Sequence, residues 1–372
     1  MSFWNDFYGI LSSDTRNILG VISGTSADGL EIALTRCIGT GKAMRVELLK
    51  HSSASFDKRF QDEVIRTYNP VNSSVDRVNS MNFSIGRKHA EYIKHFLNST
   101  DESVDIIAYH GQTVYHDPSI GATLQIGEAD IVSYETGLPV VFDFRKKDMV
   151  AGGEGAPIIP YFDWIYFDEG TYAVNLGGIA NVTYVSEDFE RVVAFDSGPA
   201  NCLIDLTVKR FFDIDFDRNG LIASRGKVDE RLLEKLIERD RSYFLRKPPK
   251  STGREIYNEA FLDGIEYGKP EDLVRTLVRF TVHQLVESIN SYLSLGKRIV
   301  VTGGGALNPV LVEDLRLLSG FEVVIPDRVF LQAKEAMGMA VLGQEFLNGV
   351  GANVPSVTGA KGRVVLGKLA LP

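Results

Sequence analysis

The sequence predicts a two-domain α/β protein, and three observations carry that reading. Short apolar strands alternate with segments whose apolar residues recur at helical spacing. At 372 residues the chain exceeds what one hydrophobic core usually supports. Two glycine-rich strand–turn–strand segments, residues 17–34 and 172–185, lie far apart and echo one another.

Composition narrows the function classes. An apolar content of 44% and a charged content of 24% are ordinary for a soluble globular protein. A formal net charge of −9 without a long basic run argues against a nucleic-acid partner, because phosphate-backbone binding needs clustered Lys and Arg. Cys37 and Cys202 are the only cysteines, which argues against a disulfide framework or a thiolate zinc site and favours a reduced, cytoplasmic setting. The N-terminus lacks a basic stretch followed by an apolar one, so it does not read as a secretory signal. No apolar run approaches membrane-spanning length, so no membrane association is expected.

In the first strand–turn–strand segment the turn reads Ser23-Gly24-Thr25-Ser26-Ala27-Asp28-Gly29, with Leu30 and Glu31 opening the second strand. Glycine lets a tight hairpin form and lets a phosphate approach the backbone. Thr25 and Ser26 add hydroxyls, and Asp28 is a carboxylate suited to Mg²⁺ or a water bound to it. A plain Asp-Gly hairpin turn is the competing reading. The lysine-bearing phosphate loop is excluded, since no Gly-Lys-Ser/Thr follows.

Residues 59–98 are helical by pattern, with a break near Asn69 and Pro70. A buried strand over 104–109 is expected to end at His110-Gly111-Gln112-Thr113, a loop that positions a ligand through His110 and Gln112. His116 follows six residues after His110 with no third ligand in the motif, which disfavours a His-metal site. A strand over 123–127 and a helix over 128–135 closed by Gly137 follow. The strand 139–144 then carries Arg145 at its end, beside the glycine-rich loop 151–157. A strand-end arginine there meets an anion or a sugar hydroxyl, or forms a salt bridge.

The second hairpin places Asn175, Gly177, Gly178 and Asn181 in its turn region. Directly after it, a strand over 191–195 ends at Asp196-Ser197-Gly198-Pro199, and a helix begins near Leu203. Strand ends of this kind are where α/β proteins put chemistry, yet Asp196 taken alone reads as a helix N-cap. Later, the strand 298–301 runs into Gly303-Gly304-Gly305 before a helix over 310–318. Such a turn lets a flat ring lie against the backbone.

Two glycine hairpins followed by a strand–Gly-Gly-Gly–helix resemble the actin-like ATPase architecture, a ribonuclease H-like α/β fold of two domains with a central nucleotide cleft. There each domain offers a hairpin to the phosphates and the third turn holds adenosine. The resemblance extends further, to the anhydro-N-acetylmuramic acid kinases. It is carried by residues 23–29, His110-Gly111-Gln112-Thr113, Asp143-Phe144-Arg145, residues 175–181, Asp196-Ser197-Gly198-Pro199, residues 249–255, Ala333-Lys334-Glu335-Ala336 and residues 355–360, in order from about residue 18 to the C-terminus. Departures are Ala27 for a larger apolar residue, Glu31 for aspartate, Ser197 and Ala200 for threonine and glycine, and Gln332 for an acidic residue.

That resemblance implies an ATP-dependent, Mg²⁺-requiring sugar kinase. It hydrolytically opens the 1,6-anhydro ring of anhydro-N-acetylmuramic acid, with water as co-substrate, and phosphorylates O6 to give N-acetylmuramic acid 6-phosphate for cell-wall sugar recycling. Asp196 is then the general base and Arg145 orients the sugar or the phosphoryl group. Residues 24–31 (Gly24, Thr25, Ser26, Ala27, Asp28, Gly29, Leu30 and Glu31) with Gly177, Gly178 and Asn181 serve the phosphates, and Gly303, Gly304 and Gly305 the nucleoside. His110, Gln112, Arg145, Asp196 and Glu335 bind the substrate, and Asp28 and Glu335 hold the metal, directly or through water. The expected domains are 1–156 with about 350–372 returning, and 157–349, with the helix starting near Ala333 leading back so that residues 363–367 rejoin the first domain. The two are expected to close on binding, and the implied assembly is a homodimer. A kinase for another 1,6-anhydro sugar such as levoglucosan is the alternative. A nucleotide-switched chaperone or filament protein would need a peptide-binding module, and a regulator a DNA-reading one; the chain is expected to have neither.

Overall fold

The same order of five strands occurs twice along the chain. The computed structural model describes residues 3–293 and 296–372. Met1 and Ser2 of the N-terminal stretch read above lie outside them. Two compact units result, residues up to Tyr166 with Gln332–Pro372, and Phe167–Leu331.

The chain opens with helix α1 (Phe3–Ser12), the hairpin strands β1 (Thr15–Ser23) and β2 (Gly29–Ile38), and β3 (Arg45–Ser55). Helices α2 (Lys58–Arg66) and α3 (Val75–Asn98) follow, interrupted at Pro70 as its missing N–H requires. Next come β4 (Ile106–Asp117), β5 (Ala122–Ile126), α4 (Ala129–Thr136), β6 (Val140–Phe142) and the short helices α5 (Lys146–Val150) and α6 (Pro160–Tyr166). Helix α4 stops at Gly137, which adopts the left-handed conformation with φ 70°.

The second unit runs β7 (Thr171–Leu176), β8 (Ile179–Tyr184), β9 (Val193–Pro199), α7 (Cys202–Phe212), α8 (Glu230–Phe244) and α9 (Pro270–Tyr292). It ends with β10 (Arg298–Thr302), α10 (Pro309–Ser319) and β11 (Glu322–Val324). Its sheet order is β9-β8-β7-β10-β11, antiparallel across the first three strands and parallel across the last three. The core gathers Val182 and Phe195 from the sheet with Val278, Phe280 and Leu285 of α9.

Helix α11 (Arg328–Leu347), the short α12 (Pro355–Thr358) and β12 (Lys368–Ala370) complete the chain. The first sheet then reads β3-β2-β1-β4-β6, with β12 antiparallel on β6 and β5 on β4. Pairing directions match the second sheet strand for strand: β3-β2-β1 antiparallel, β1-β4-β6 parallel. This duplicated order is the ribonuclease H-like, actin-like α/β arrangement.

Burial explains why β1 is apolar from Ile18 to Ile22. One face packs into the cluster holding Ala90, Ile93 and Phe96 of α3. On the other, α11 lies so close that a Cβ on Gly20 would come within 1.8 Å of the Ala336 carbonyl oxygen. Gly343 sits likewise against Ala108. The helix expected to lead back from near Ala333 thus already belongs to the first unit, which resumes at Gln332 and not near residue 350. Residues 157–166 also stay with the first unit. There Phe162 packs near Gly338, and buried Asp163 pairs with buried Lys334 at 2.7 Å.

Strand ends depart from the expectation in three places. β4 starts at Ile106 and runs on through His110 to Asp117, because β1 and β5 both pair with it there. His110 and Gln112 thus lie in a strand and not a loop. β6 is confined to three residues, since the chain turns at Asp143, whose φ is 63°. β9 extends to Pro199, four residues beyond the expected end. Among the described residues no helix is long and apolar enough to cross a membrane.

Candidate active site

Asp196 lies inside β9, not at its end. Pairing with β8 continues from Tyr184↔Val193 to Ile179↔Pro199, so Asp196 faces Asn181 across the ladder. The register shifts between Ala180 and Asn181, a bulge of the kind that re-aims a side chain. Asn201 holds the N-cap position of α7 and makes no side-chain cap, so Asp196, five residues upstream, is not the cap of that helix. Its carboxylate is held instead from two sides. Asn181 Nδ2 donates to Oδ1, and the Thr252 amide donates to Oδ2 at 2.9 Å. Asn175 Nδ2 donates to Asn181 Oδ1 at 3.4 Å, which fixes the amide orientation. Asn181, expected at the phosphates, is thus engaged with Asp196.

The backbone of Asp196 is pinned as well. Its amide donates to the Lys250 carbonyl at 3.0 Å, and its carbonyl accepts from Tyr243 Oη at 2.7 Å. Lys250 is buried among four rings, with Nζ 4.8 Å from the centroid of Tyr243 and 5.3 to 5.7 Å from those of Tyr292, Phe244 and Phe195. Nζ also donates to the Phe244 carbonyl at 3.0 Å. Burial lowers the Lys250 ammonium to about 8, against the opposing pull of Asp240. Cation–π attraction keeps the charge tolerable in this cage. Thr252 Oγ1, next to the carboxylate, is buried and has no hydrogen-bond partner among the described residues. In sequence, the 249–255 block carries the family resemblance but assigns no role to Lys250 or Thr252. The signal was the block itself, set between helices with no element of its own; only the fold brings it onto β9.

In the first unit Arg145 and His110 form one assembly. The chain turns at Asp143, whose carboxylate pairs with Lys146 at 3.1 Å and Lys368 at 2.7 Å, and Phe144 is buried. Arg145 Nε then donates to His110 Nε2 at 2.9 Å, and Nη1 to the Gly155 carbonyl at 2.9 Å. Accepting at Nε2 requires a neutral imidazole carrying its proton on Nδ1, which lies 3.2 Å from the Gly111 carbonyl. Burial first, then the Arg145 charge, pushes His110 down to about 3. Burial lowers Arg145 itself to about 10, so it stays cationic at neutral pH. His116 contacts Thr123 Oγ1 at 3.1 Å.

Gln112 is buried with its amide occupied by protein. Oε1 accepts from Ser23 Oγ at 2.6 Å, and Nε2 donates to the Gly24 carbonyl and to Tyr68 Oη, both at 2.8 Å. It braces the first hairpin turn from beneath. In that turn Gly24, Thr25, Ser26 and Asp28 are exposed. Ala27 and Leu30 are buried in apolar clusters, Gly29 packs on the Ala54 carbonyl, and Glu31 meets His51 Nε2 at 2.6 Å. Asp28 Oδ1 accepts from Ser26 Oγ at 2.7 Å. Glu335 keeps accessible surface amid dense protein. Desolvation raises its carboxyl, while Lys334 and Arg145 pull the other way. Among the described residues no three His, Cys, Asp or Glu side chains gather into a metal cage. Mg²⁺ characteristically uses one or two carboxylates together with substrate phosphates, and Asp28 and Glu335 suit that donor set.

The space around each Cβ position separates the glycines of the turns. Gly304 has nothing within 4 Å and Gly24 only Ser26 Oγ at 3.7 Å, so both leave backbone open to a ligand. Gly303 and Gly305 serve the fold. A Cβ on Gly303, with φ 79°, would lie 2.5 Å from Asn175 Oδ1, and one on Gly305 2.6 Å from Leu176 Cβ. The carbonyls of Gly177 and Gly178 accept amides of Ala200, Asn201 and Cys202. Among the described residues, the amides of Gly177 and Gly178 have no backbone acceptor outside the strand ladder, which leaves two donors for an anion.

A family model for anhydro-N-acetylmuramic acid kinase matches residues 16–371. The anhydro-N-acetylmuramic acid kinase of Caldanaerobacter subterraneus subsp. tengcongensis is 36% identical over 394 residues, covering 97% of this chain and 98% of the relative. Those of Bacillus thuringiensis subsp. konkukian and Clostridioides difficile are 36% and 35% identical, covering 95% and 94% of this chain and 99% and 97% of the relatives. With a model match over nearly the whole chain and full-length relatives at this identity, the chain belongs to the anhydro-N-acetylmuramic acid kinase family and is a sugar kinase.

Proposed function

We propose that this kinase opens the 1,6-anhydro ring of anhydro-N-acetylmuramic acid with water and phosphorylates O6, giving N-acetylmuramic acid 6-phosphate. The observation that carries the reading is Asp196, an aspartate oriented by Asn181 and the Thr252 amide one strand away from the Gly177–Gly178 turn. Asp196 takes a proton from water as the water oxygen attacks the anomeric carbon. The C1–O6 bond breaks with its electron pair on O6. O6 attacks the γ-phosphorus of ATP, the bond to the bridging oxygen breaks, and ADP leaves. Two acceptor-engaging donors keep the Asp196 carboxylate aimed, which general-base catalysis requires.

Arg145 has two of its donors fixed by His110 and Gly155, so the rest of the guanidinium is presented in one orientation to the sugar or the phosphoryl oxygens. The Gly24–Ser26 and Gly177–Gly178 turns would take the phosphates and Gly304 the nucleoside. Asp28 and Glu335 would hold Mg²⁺ with the phosphate oxygens, where it would neutralise the developing charge. A homodimer acting in the cytoplasm, in recycling of cell-wall sugars, belongs to the same proposal.

The test is ATP consumption over a panel of anhydro sugars, levoglucosan included, in ¹⁸O-labelled water. Label at the anomeric oxygen of a 6-phosphate, trapped before exchange, is the expected result. Phosphorylation without label would make this a plain kinase, and turnover with levoglucosan alone would replace the substrate.

A further inference from the structure

The 250–255 segment does more than hold Asp196. Two residues beyond Thr252, the Arg254 side chain crosses to the second hairpin. A Cβ on Gly178 would lie 3.4 Å from Arg254 Nη2, 3.5 Å from Nε and 3.9 Å from Cζ, so the guanidinium lies over that glycine. Arg254 is exposed, and among the described residues it forms no hydrogen bond and no ion pair. By contrast, Arg275 and Arg279 both clamp Asp314, and Arg298 pairs with Asp168. Its charge is felt at Asp205 and Cys202, and it forms an ion pair with neither.

Its backbone is anchored on both sides. Upstream, the Thr252 amide is bound to Asp196. Downstream, the Ile256 and Tyr257 amides both donate to the Gly253 carbonyl, and buried Tyr257 donates through Oη to Asp240 at 2.8 Å. A cation held over a glycine turn with two unspent amide donors is a built anion site. A Cβ at 178 would sit in van der Waals contact with the guanidinium, so the two are immediate neighbours.

We propose that Arg254 binds an outer phosphate of the nucleotide at the Gly177–Gly178 turn, adding a forked, charge-assisted pair of hydrogen bonds to those of the backbone amides. The proposal rests on the kinase reading above. The anionic group recognised is a phosphate. A sugar carboxylate is the other source of the same charge, and the experiment separates the two.

Binding of AMP-PNP, adenosine and anhydro-N-acetylmuramic acid is measured by titration calorimetry on the wild-type chain, Arg254→Gln and Arg254→Lys, with thermal melting of each. Both variants are expected to melt as wild type does, since Arg254 is exposed. Arg254→Gln should weaken AMP-PNP at least about tenfold and leave adenosine and the sugar unchanged, with Arg254→Lys in between because it keeps charge and loses the fork. AMP-PNP affinity within twofold of wild type in Arg254→Gln overturns the assignment, as does a loss confined to the sugar. If wild type itself binds no AMP-PNP, the kinase reading of this site falls and the assignment falls with it.

Discussion

The Thr252 amide donates to Asp196 Oδ2 at 2.9 Å, although the two residues are 56 positions apart. A backbone donor cannot be lost by side-chain substitution, so the orientation of this carboxylate is set by the path of the chain. Lys250, two residues earlier, fastens that path by burying its ammonium among Phe195, Tyr243, Phe244 and Tyr292.

Asp196→Asn should keep the fold and nucleotide binding, because the amide can still accept from Thr252. It should lose at least about a hundredfold in turnover, the scale of general-base catalysis. Steady-state kinetics with calorimetric binding of AMP-PNP checks both halves. Near-normal turnover would remove Asp196 from its role.

Arg145→Lys should lower kcat/KM by about tenfold or more. One ammonium cannot reproduce a planar fork that reaches His110 Nε2 and the Gly155 carbonyl together. His110 should stay neutral through the activity range, since it is pushed down to about 3. Its ring resonances should not titrate between pH 5 and pH 8. A midpoint near 6.5 would break the proposed acceptor geometry.

Lys250 supplies a pH signature. In the folded chain it loses its proton near 8, against 10.5 as its ordinary value. Between those two limits the unfolded chain binds more protons, so this group makes stability rise with pH. Below about 8 the folded chain carries the full cost of a buried charge. Urea unfolding of wild type and Lys250→Met at pH 7, 9 and 10 should show that rise in wild type only. Parallel profiles would contradict it.

Neighbouring glycines should behave in opposite ways. Gly303→Ala imposes φ 79° on a residue with a Cβ and a 2.5 Å approach to Asn175 Oδ1, which should cost about 2 kcal/mol of stability. Gly304→Ala meets nothing within 4 Å and should melt as wild type does, while weakening nucleotide binding. Thermal melts and AMP-PNP titrations distinguish the two. Equal melting temperatures would show that the turn relaxes.

Apolar periodicity was enough to read the alternation of strands and helices, because burial on both faces of β1, β4, β7 and β10 demands continuous apolar runs. The two hairpins and the Gly303–Gly305 turn were legible for a related reason: glycine is required where backbone meets backbone. Strand ends were not, since β9 runs past Asp196 only because β8 pairs with it that far. The return to the first unit at Gln332 depends on α11 packing against Gly20, a contact between residues more than 300 positions apart.

By itself the sequence determined the α/β class, its division into two units, the family and the identity of Asp196 and Arg145 as candidate groups. Tertiary structure alone decided what orients them: Asn181 and the Thr252 amide for Asp196, neutral His110 and the Gly155 carbonyl for Arg145. The physical reason is that propensity and periodicity are local. A hydrogen bond between distant segments, or the neutral state of a buried imidazole, depends on neighbours that exist only once the chain has folded.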